Sequence, residues 1–116
     1  MADTRITTVE HNGKVVLISD FSDLFGSELL TCMRRAWERD KRAPDNSLLL
    51  TDISNCKVNK EVRDLAVEMG ESIKGRGWRQ AIVGVTGLQK VIFSLVKRDV
   101  YLADSRQDAL EYLTRA

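Results

Sequence analysis

The stretch from Ser47 to Ile73 constrains the fold more than any other part of the chain. Three leucines, Leu48 to Leu50, open it, and such a short apolar run is typical of a strand covered on both faces. A polar elbow, Thr51 to Asn59, leads into a segment whose apolar residues recur at helical spacing. These residues are Val62, Leu65, Ala66, Met69 and Ile73. Asn59 is placed to cap this helix through its side-chain oxygen. A buried strand that feeds a helix across a polar turn is the unit of α/β folds.

Length and composition exclude several classes of protein. A chain of 116 residues predicts one domain, spanning residues 1–116. Its 18 Lys plus Arg nearly balance its 17 Asp plus Glu, so no charge bias toward nucleic acid or an anionic membrane is visible. The first residues lack the apolar run of a signal peptide, and no stretch approaches the length of a membrane span. Cys32 and Cys56 form neither a disulfide framework nor a zinc spacing. The expectation is a cytoplasmic, soluble protein.

The first two strands are predicted to form a hairpin. Ile6–Val9 and Lys14–Ser19 are rich in β-branched residues and flank Asn12-Gly13, and this dipeptide favours a type I′ turn, which needs positive φ at both central positions. His11, the only histidine, then lies at the turn, where we expect its side chain to point to solvent.

Helices and strands alternate after the hairpin. The next helix, capped by Ser22 or Ser27, should bury Cys32 or leave it half-buried and should end before Pro44. Further strands are predicted at Ala81–Val85 and Val100–Ala103. Helices are predicted around Leu88 to Val96 and after Ser105, which resembles a capping box with Asp108. The predicted order is β-β-α-β-α-β-α-β-α, an α/β fold with a mixed, mostly parallel sheet and right-handed crossovers, and with no internal repeats. The predicted core includes Leu49, Leu65, Met69, Ile82, Val83, Ile92 and Leu110.

Catalytic signatures are missing from the sequence. The position of the only histidine at a turn argues against a nucleophile-histidine site, and no phosphate-binding glycine motif or metal-ligand spacing is present. We therefore predict no enzyme activity, no cofactor and no metal site. Asp52 follows a buried strand, as the phospho-acceptor of a receiver domain does. The acidic pair and the late lysine of that class are not evident, so the simpler interpretation is that Asp52 and Ser54 bind loop N–H groups.

The predicted working surface lies at the carboxyl ends of the central strands, where open α/β sheets place their ligands. Thr86-Gly87 opens a helix there, and its free N–H groups allow an anion pocket, although Thr86 as a plain cap is the simpler interpretation. The candidate binding residues are Asp52, Ser54, Asn55, Asn59, Thr86 and Gly87. The basic residues nearby are scattered among acids without interleaved aromatics, which argues against nucleic acid as a partner.

Several segments together resemble a known family. The hairpin, the Asn46–Ser54 strand, the Gln80–Lys90 segment and the closing Asp108–Leu113 helix are similar to the SpoIIAA-like proteins of the STAS superfamily. The resemblance covers nearly the whole chain. It implies a small bacterial α/β domain with a four- or five-stranded sheet and helices largely on one side. It also implies a non-enzymatic regulatory role, as in anti-sigma-factor antagonists.

The chain departs from that family at the phosphorylation switch. Where those antagonists carry an Asp-Ser-Ser-Gly-like turn, this chain has Cys56–Lys60 without serine or glycine, and the role does not transfer to Ser54. A related CRAL-TRIO-like branch suggests a small apolar ligand. The favoured hypothesis is a regulatory or protein-interaction module. A binding module for a small apolar (lipid-like) or anionic ligand comes second, and a receiver or enzyme third. Phe93 lies off the stripe of its predicted helix and could contact another copy of the chain.

Overall fold

The computed structural model describes residues 4–86 and 100–115. Eight elements are found in this part of the chain. The strands are β1 (Ile6–His11), β2 (Lys14–Asp20), β3 (Leu48–Asp52), β4 (Arg79–Val83) and β5 (Val100–Ala103), and the helices are α1 (Gly26–Arg42), α2 (Lys60–Ile73) and α3 (Arg106–Thr114). The helix predicted around Leu88 to Val96, with Gly87, Ile92 and Phe93, lies outside the described residues.

The five strands form one mixed sheet in the order β1-β2-β3-β4-β5. β1 and β2 are antiparallel, whereas β2 to β5 run parallel to their neighbours. Asn12 and Gly13 join β1 to β2 with φ values of 51° and 76°, so the predicted hairpin with positive φ at both turn residues is confirmed. The protein is a small α/β domain, as the sequence predicts.

Two apolar layers cover the sheet. On one face α1 and α2 pack around Phe21, Leu29 and Leu65, and on the other face α3 packs through Leu113 on Val16 and Leu50. Consecutive parallel strands that advance in one direction with right-handed crossovers place their helices on the same face, which accounts for α1 and α2. α3 follows the last strand and closes the opposite face. The central strand β3 is therefore covered on both faces, as its apolar run predicts.

The helix starts agree only in part with the sequence prediction. Asn59 caps α2, because its Oδ1 accepts the Val62 N–H at 2.9 Å, and Ser105 Oγ accepts the Asp108 N–H at 3.0 Å at the start of α3. The Ser22 or Ser27 cap predicted for α1 is wrong. Phe25 stands at that position and makes no side-chain capping bond, while the Ser22 hydroxyl donates to Asp20 instead.

Burial also differs at a few positions. Leu49, Val83 and Leu65 are buried as predicted, and Cys32 is buried. Ile82, Met69 and Leu110 are half-buried, and Ala66 is exposed. β4 ends at Val83 rather than Val85, because Gly84 turns the chain with φ 95°.

His11 is half-buried rather than solvated. Its Nε2 lies 3.4 Å from Glu111 Oε1, since α3 passes beside the hairpin. The contact joins sequence positions too far apart for a local pattern to indicate. Among the described residues, no helix is long and apolar enough to cross a membrane.

Candidate functional site

Two loops of similar sequence and conformation lie at the carboxyl ends of β2 and β3. Ser19-Asp-Phe-Ser-Asp23 follows one strand and Thr51-Asp-Ile-Ser-Asn55 the other. Asp20 Oδ1 accepts the Ser22 N–H at 2.9 Å, and Asp52 Oδ1 accepts the Ser54 N–H at 2.9 Å. The fifth and last residue of each segment has a left-handed backbone, with φ 63° at Asp23 and 58° at Asn55. Each aspartate therefore closes an Asx turn that stops its strand and redirects the chain.

These two loops extend the parallel pairing beyond the strands. The Phe21 N–H donates to the Asp52 carbonyl at 2.8 Å, and the Asp23 N–H donates to the Ser54 carbonyl at 2.9 Å. The Asn55 side-chain amide donates to Asp23 Oδ1 at 2.9 Å. Loops 21–25 and 53–59, together with residues 84–86 after β4, are called here the carboxyl-edge loops. Backbone hydrogen bonds join the first two of these loops to each other.

Gly84 permits the third loop to approach the second. A Cβ atom at this position would lie 2.4 Å from Ser54 N and 2.5 Å from Ser54 Cα, which no side chain can tolerate without movement of backbone. Its φ of 95° is also strained for residues that carry a Cβ. Glycine is therefore required at position 84 both by the close approach to Ser54 and by the positive φ.

Arg106, the first residue of α3, joins the two aspartates. Its Nη2 lies 3.1 Å from Asp20 Oδ2 and 2.9 Å from Asp52 Oδ2, and its Nε donates to Asp52 Oδ2 at 2.9 Å. Burial acts to raise the pKa of Asp20, but hydrogen bonds from Ser22 and the charge of Arg106 outweigh it and lower the pKa. Burial acts to lower the pKa of Arg106, and the two carboxylates outweigh it and raise the pKa. Asp20 and Arg106 are therefore charged at neutral pH, and the Arg106 guanidinium contacts the carboxyl groups of both aspartates.

Cys56 is a protonated thiol within the same loops. Its Sγ lies 2.7 Å from the Phe21 carbonyl oxygen. Burial raises the pKa of Cys56, and the nearby carboxylates of Asp52, Asp20 and Asp23 act in the same direction. A hydrogen bond to the Leu24 backbone lowers the pKa of this thiol only in part. The thiolate needed for nucleophilic chemistry is thus disfavoured here.

The outer rim of these loops exposes apolar side chains. Phe25 is 59% exposed and Val58 is 52% exposed, each at the end of a loop that precedes a helix. Lys57 precedes Val58 in the chain and contacts the other loop, with its Nζ 5.4 Å from the Phe25 ring centre and its N–H donating to the Leu24 carbonyl at 3.4 Å. The rim therefore carries an aromatic ring, an aliphatic side chain and a cation on a backbone held by its neighbours.

The six binding residues that the sequence predicts have different roles in the structure. Asp52 is buried in the Arg106 bridge, Ser54 is half-buried against Gly84, and Asn55 is exposed and bound to Asp23. Asn59 is exposed and caps α2, and Thr86 is exposed. Among the described residues no hydrogen bond joins Thr86 to the other candidates, and Gly87 lies outside the described residues.

Sequence reasoning missed Asp20, Ser22, Phe25, Gly84 and Arg106. A signal for the first two was present, because Asp-x-Ser followed by Asp or Asn recurs after two consecutive strands. The prediction of no internal repeat overlooked this short one. Arg106 had no local signal, since it lies far along the chain from both carboxylates.

A metal centre is not formed by the described part of the chain. In residues 4–86 and 100–115, no three side chains of His, Cys, Asp or Glu are grouped to hold an ion. Comparison of the chain with protein-family models, with curated proteins and with solved structures finds no match.

Proposed function

We propose that this protein is a non-enzymatic regulatory or protein-interaction module of the SpoIIAA-like (STAS) kind, working in the cytoplasm, with the carboxyl-edge loops as its binding surface. The observation that carries the proposal is the exposure of Phe25 and Val58 on two loops that are joined by backbone hydrogen bonds. Rigid exposed aromatic side chains are typical anchors of protein interfaces, because they bury a large area at little cost in conformational entropy.

The charges at this edge favour a protein partner over a catalytic role. Asp20 and Asp52 are both bound to Arg106, so neither carboxylate is left to accept a proton from a substrate. Their negative charges, together with Asp23, also oppose a bound anion. An anionic small ligand is therefore the weaker alternative, and a small apolar ligand rests on the family resemblance alone.

A phosphorylation switch at Ser54 fits this surface poorly. Ser54 lies against Gly84, and its N–H is held by Asp52. A phosphate group there would add negative charge beside a buried carboxylate, which is a destabilising arrangement. We therefore propose an interaction that does not depend on phosphorylation of the elbow between β3 and α2.

Site-specific photo-crosslinking in the cell of origin tests the proposal. A photoreactive phenylalanine analogue replaces Phe25 in one variant and Val58 in a second. In a control variant the analogue replaces Val67, which is 50% exposed on α2. The same protein should be captured from Phe25 and from Val58 and should be absent from the Val67 sample.

Amide chemical shifts of the isolated complex then locate the contact. Perturbations should cluster at Asp23, Asn55 and Val58. Capture from Val67 alone, or shifts confined to the hairpin turn at Asn12 and Gly13, would reject the carboxyl-edge loops as the working surface.

A further inference from the structure

β1 is an edge strand of the sheet in the described part of the chain, and the backbone groups on its outer side can be identified. The two-residue turn makes His11 and Lys14 a pair that exchanges hydrogen bonds, and such pairs alternate along an antiparallel ladder. The Asp20 N–H donates to the Arg5 carbonyl at 2.9 Å, which fits the same alternation. The N–H and C=O groups of Thr8 and Glu10 therefore point away from β2. No strand in the described part of the chain pairs with that side.

Helices from both layers hold this edge in place. From one face, Arg39 Nη1 donates to the Thr7 carbonyl at 3.1 Å. From the other face, His11 contacts Glu111, and the Asn12 amide donates to Thr114 Oγ at 3.1 Å. A strand that is already ordered loses little entropy when another strand adds to it.

The edge also lacks three of the devices that usually prevent pairing, although it carries one charged residue, Glu10. β1 reads Ile-Thr-Thr-Val-Glu-His, without proline or lysine, and its pairing with β2 has no bulge. Val9 is 40% exposed and Val15 59% exposed, on opposite faces of the hairpin because their positions alternate along the ladder. A strand added beside β1 would cover part of both faces.

We propose that β1 of a second copy of this chain pairs antiparallel with β1, with Thr8 opposite Thr8 of the other copy. The proposal concerns a surface separate from the carboxyl-edge loops and does not depend on their function. In this register Glu10 faces Ile6 of the other copy, so no like charges meet. A register centred on Glu10 would place two carboxylates opposite each other, and one centred on Ile6 would leave half of β1 unpaired. Charge and overlap thus disfavour both of these registers, and the register centred on Thr8 forms a continuous ten-stranded sheet from two five-stranded ones.

Sedimentation analysis over a wide concentration range tests the pairing with charge variants. Thr8 is exposed, so Thr8→Lys and Thr8→Glu leave the core untouched. The native chain should dimerise as concentration rises. Each variant alone should dissociate, with a dimer constant weakened about tenfold or more by the like charges now opposite one another. An equimolar mixture of the two should dimerise again, because a lysine then faces a glutamate.

A backbone variant and a surface control complete the test. Thr8→Pro removes the outward N–H without removing a bond to β2 and should also give monomers, whereas Val67→Lys on α2 should dimerise like the native chain. Circular dichroism and thermal melting check that each variant is folded. A native chain that stays monomeric at all concentrations overturns the proposal. So does a dimer that survives all three Thr8 variants, or a Lys plus Glu mixture that fails to restore it.

Discussion

Asp20 and Asp52 are register partners at the ends of β2 and β3, and a single guanidinium, that of Arg106, lies within 3.1 Å of both carboxylates. A cation at the first position of a helix is disfavoured by the helix dipole, so the two carboxylates account for its presence there. The bridge fastens α3 to the two strands that carry the main loops of the candidate site. Stability of the fold and rigidity of the site are thus linked through one side chain.

Replacement of Arg106 by methionine should lower the free energy of unfolding by about 1–3 kcal/mol. The change leaves Asp52 buried without its counter-charge. The loss should be smaller than for a fully buried pair, because the Arg106 side chain is 47% exposed. Urea denaturation measures the effect, with Arg34→Met on the exposed side of α1 as the matched control. Equal, small effects of the two substitutions would show that the bridge contributes nothing to stability.

The difference in stability between the native chain and Arg106→Met should also depend on pH. The pKa of Asp20 is lower in the folded protein than in the unfolded chain. The stabilisation that Asp20 contributes is therefore complete above its pKa in the unfolded chain, about 3.9. It is lost as the pH falls through its pKa in the folded protein. The stability difference between the native chain and Arg106→Met should be largest at neutral pH and should shrink below about pH 4. A difference that stays constant or grows in acid would contradict the bridge as its cause.

Local signals predicted the parts of the fold that depend on neighbours in sequence. Asn12-Gly13 determines its turn through its own backbone, and Asn59 caps α2 through a bond to Val62 three residues away. Arg106 and Asp52 are 54 positions apart, so their contact follows from sheet register and from the face that α3 covers. The exposure of Phe25 likewise depends on how two loops meet. These features are tertiary, which is why patterns of spacing could not reveal them.

Leu65→Ala should destabilise the fold by about 2–5 kcal/mol, as large-to-small changes do in a packed core. Leu65 is 8% exposed and packs in the layer between the sheet and α1 and α2. Val67→Ala, two residues along the same helix and 50% exposed, is the control and should cost far less. Thermal and urea unfolding compare the two. Similar losses of stability for both variants would mean that α2 does not bury Leu65 in the core.

Asp40→Asn should leave the protein as stable as before at neutral pH or stabilise it by up to about 1 kcal/mol. Asp40 is 4% exposed near the end of α1, where the helix dipole disfavours an anion. Burial raises its pKa despite the partners Arg39 and Arg76, so ionised Asp40 costs stability. An asparagine oxygen can still accept from Arg39.

The sign of the pH effect at Asp40 is opposite to that at Asp20. A carboxyl group whose pKa is raised by folding stabilises the folded state at a pH below its pKa in the unfolded chain. This stabilisation is lost as the pH rises through its pKa in the folded protein. The gain from Asp40→Asn should therefore disappear in acid. Asp45→Asn, at a largely exposed partner of Arg76, serves as the control. A clear loss of stability at pH 7 for Asp40→Asn alone would show that the ion pair with Arg39 outweighs the cost of burial.

Gly84→Ala should destabilise the protein by about 2–5 kcal/mol, through the strain of a positive φ and through the clash with Ser54. Gly75→Ala separates these two causes. Gly75 has φ 82°, but nothing lies within 4 Å of its added Cβ, so this variant carries backbone strain of about 1–2 kcal/mol alone. Chemical unfolding measures both, and amide shifts in Gly84→Ala should move at Ser54 and Asn55 while those around Gly75 stay unchanged. If the two substitutions cost the same and Ser54 is unperturbed, the close approach of the third loop to the second is not a feature of the protein in solution. If Gly84→Ala costs more and shifts Ser54, the same variant should also weaken the proposed partner contact at Asn55.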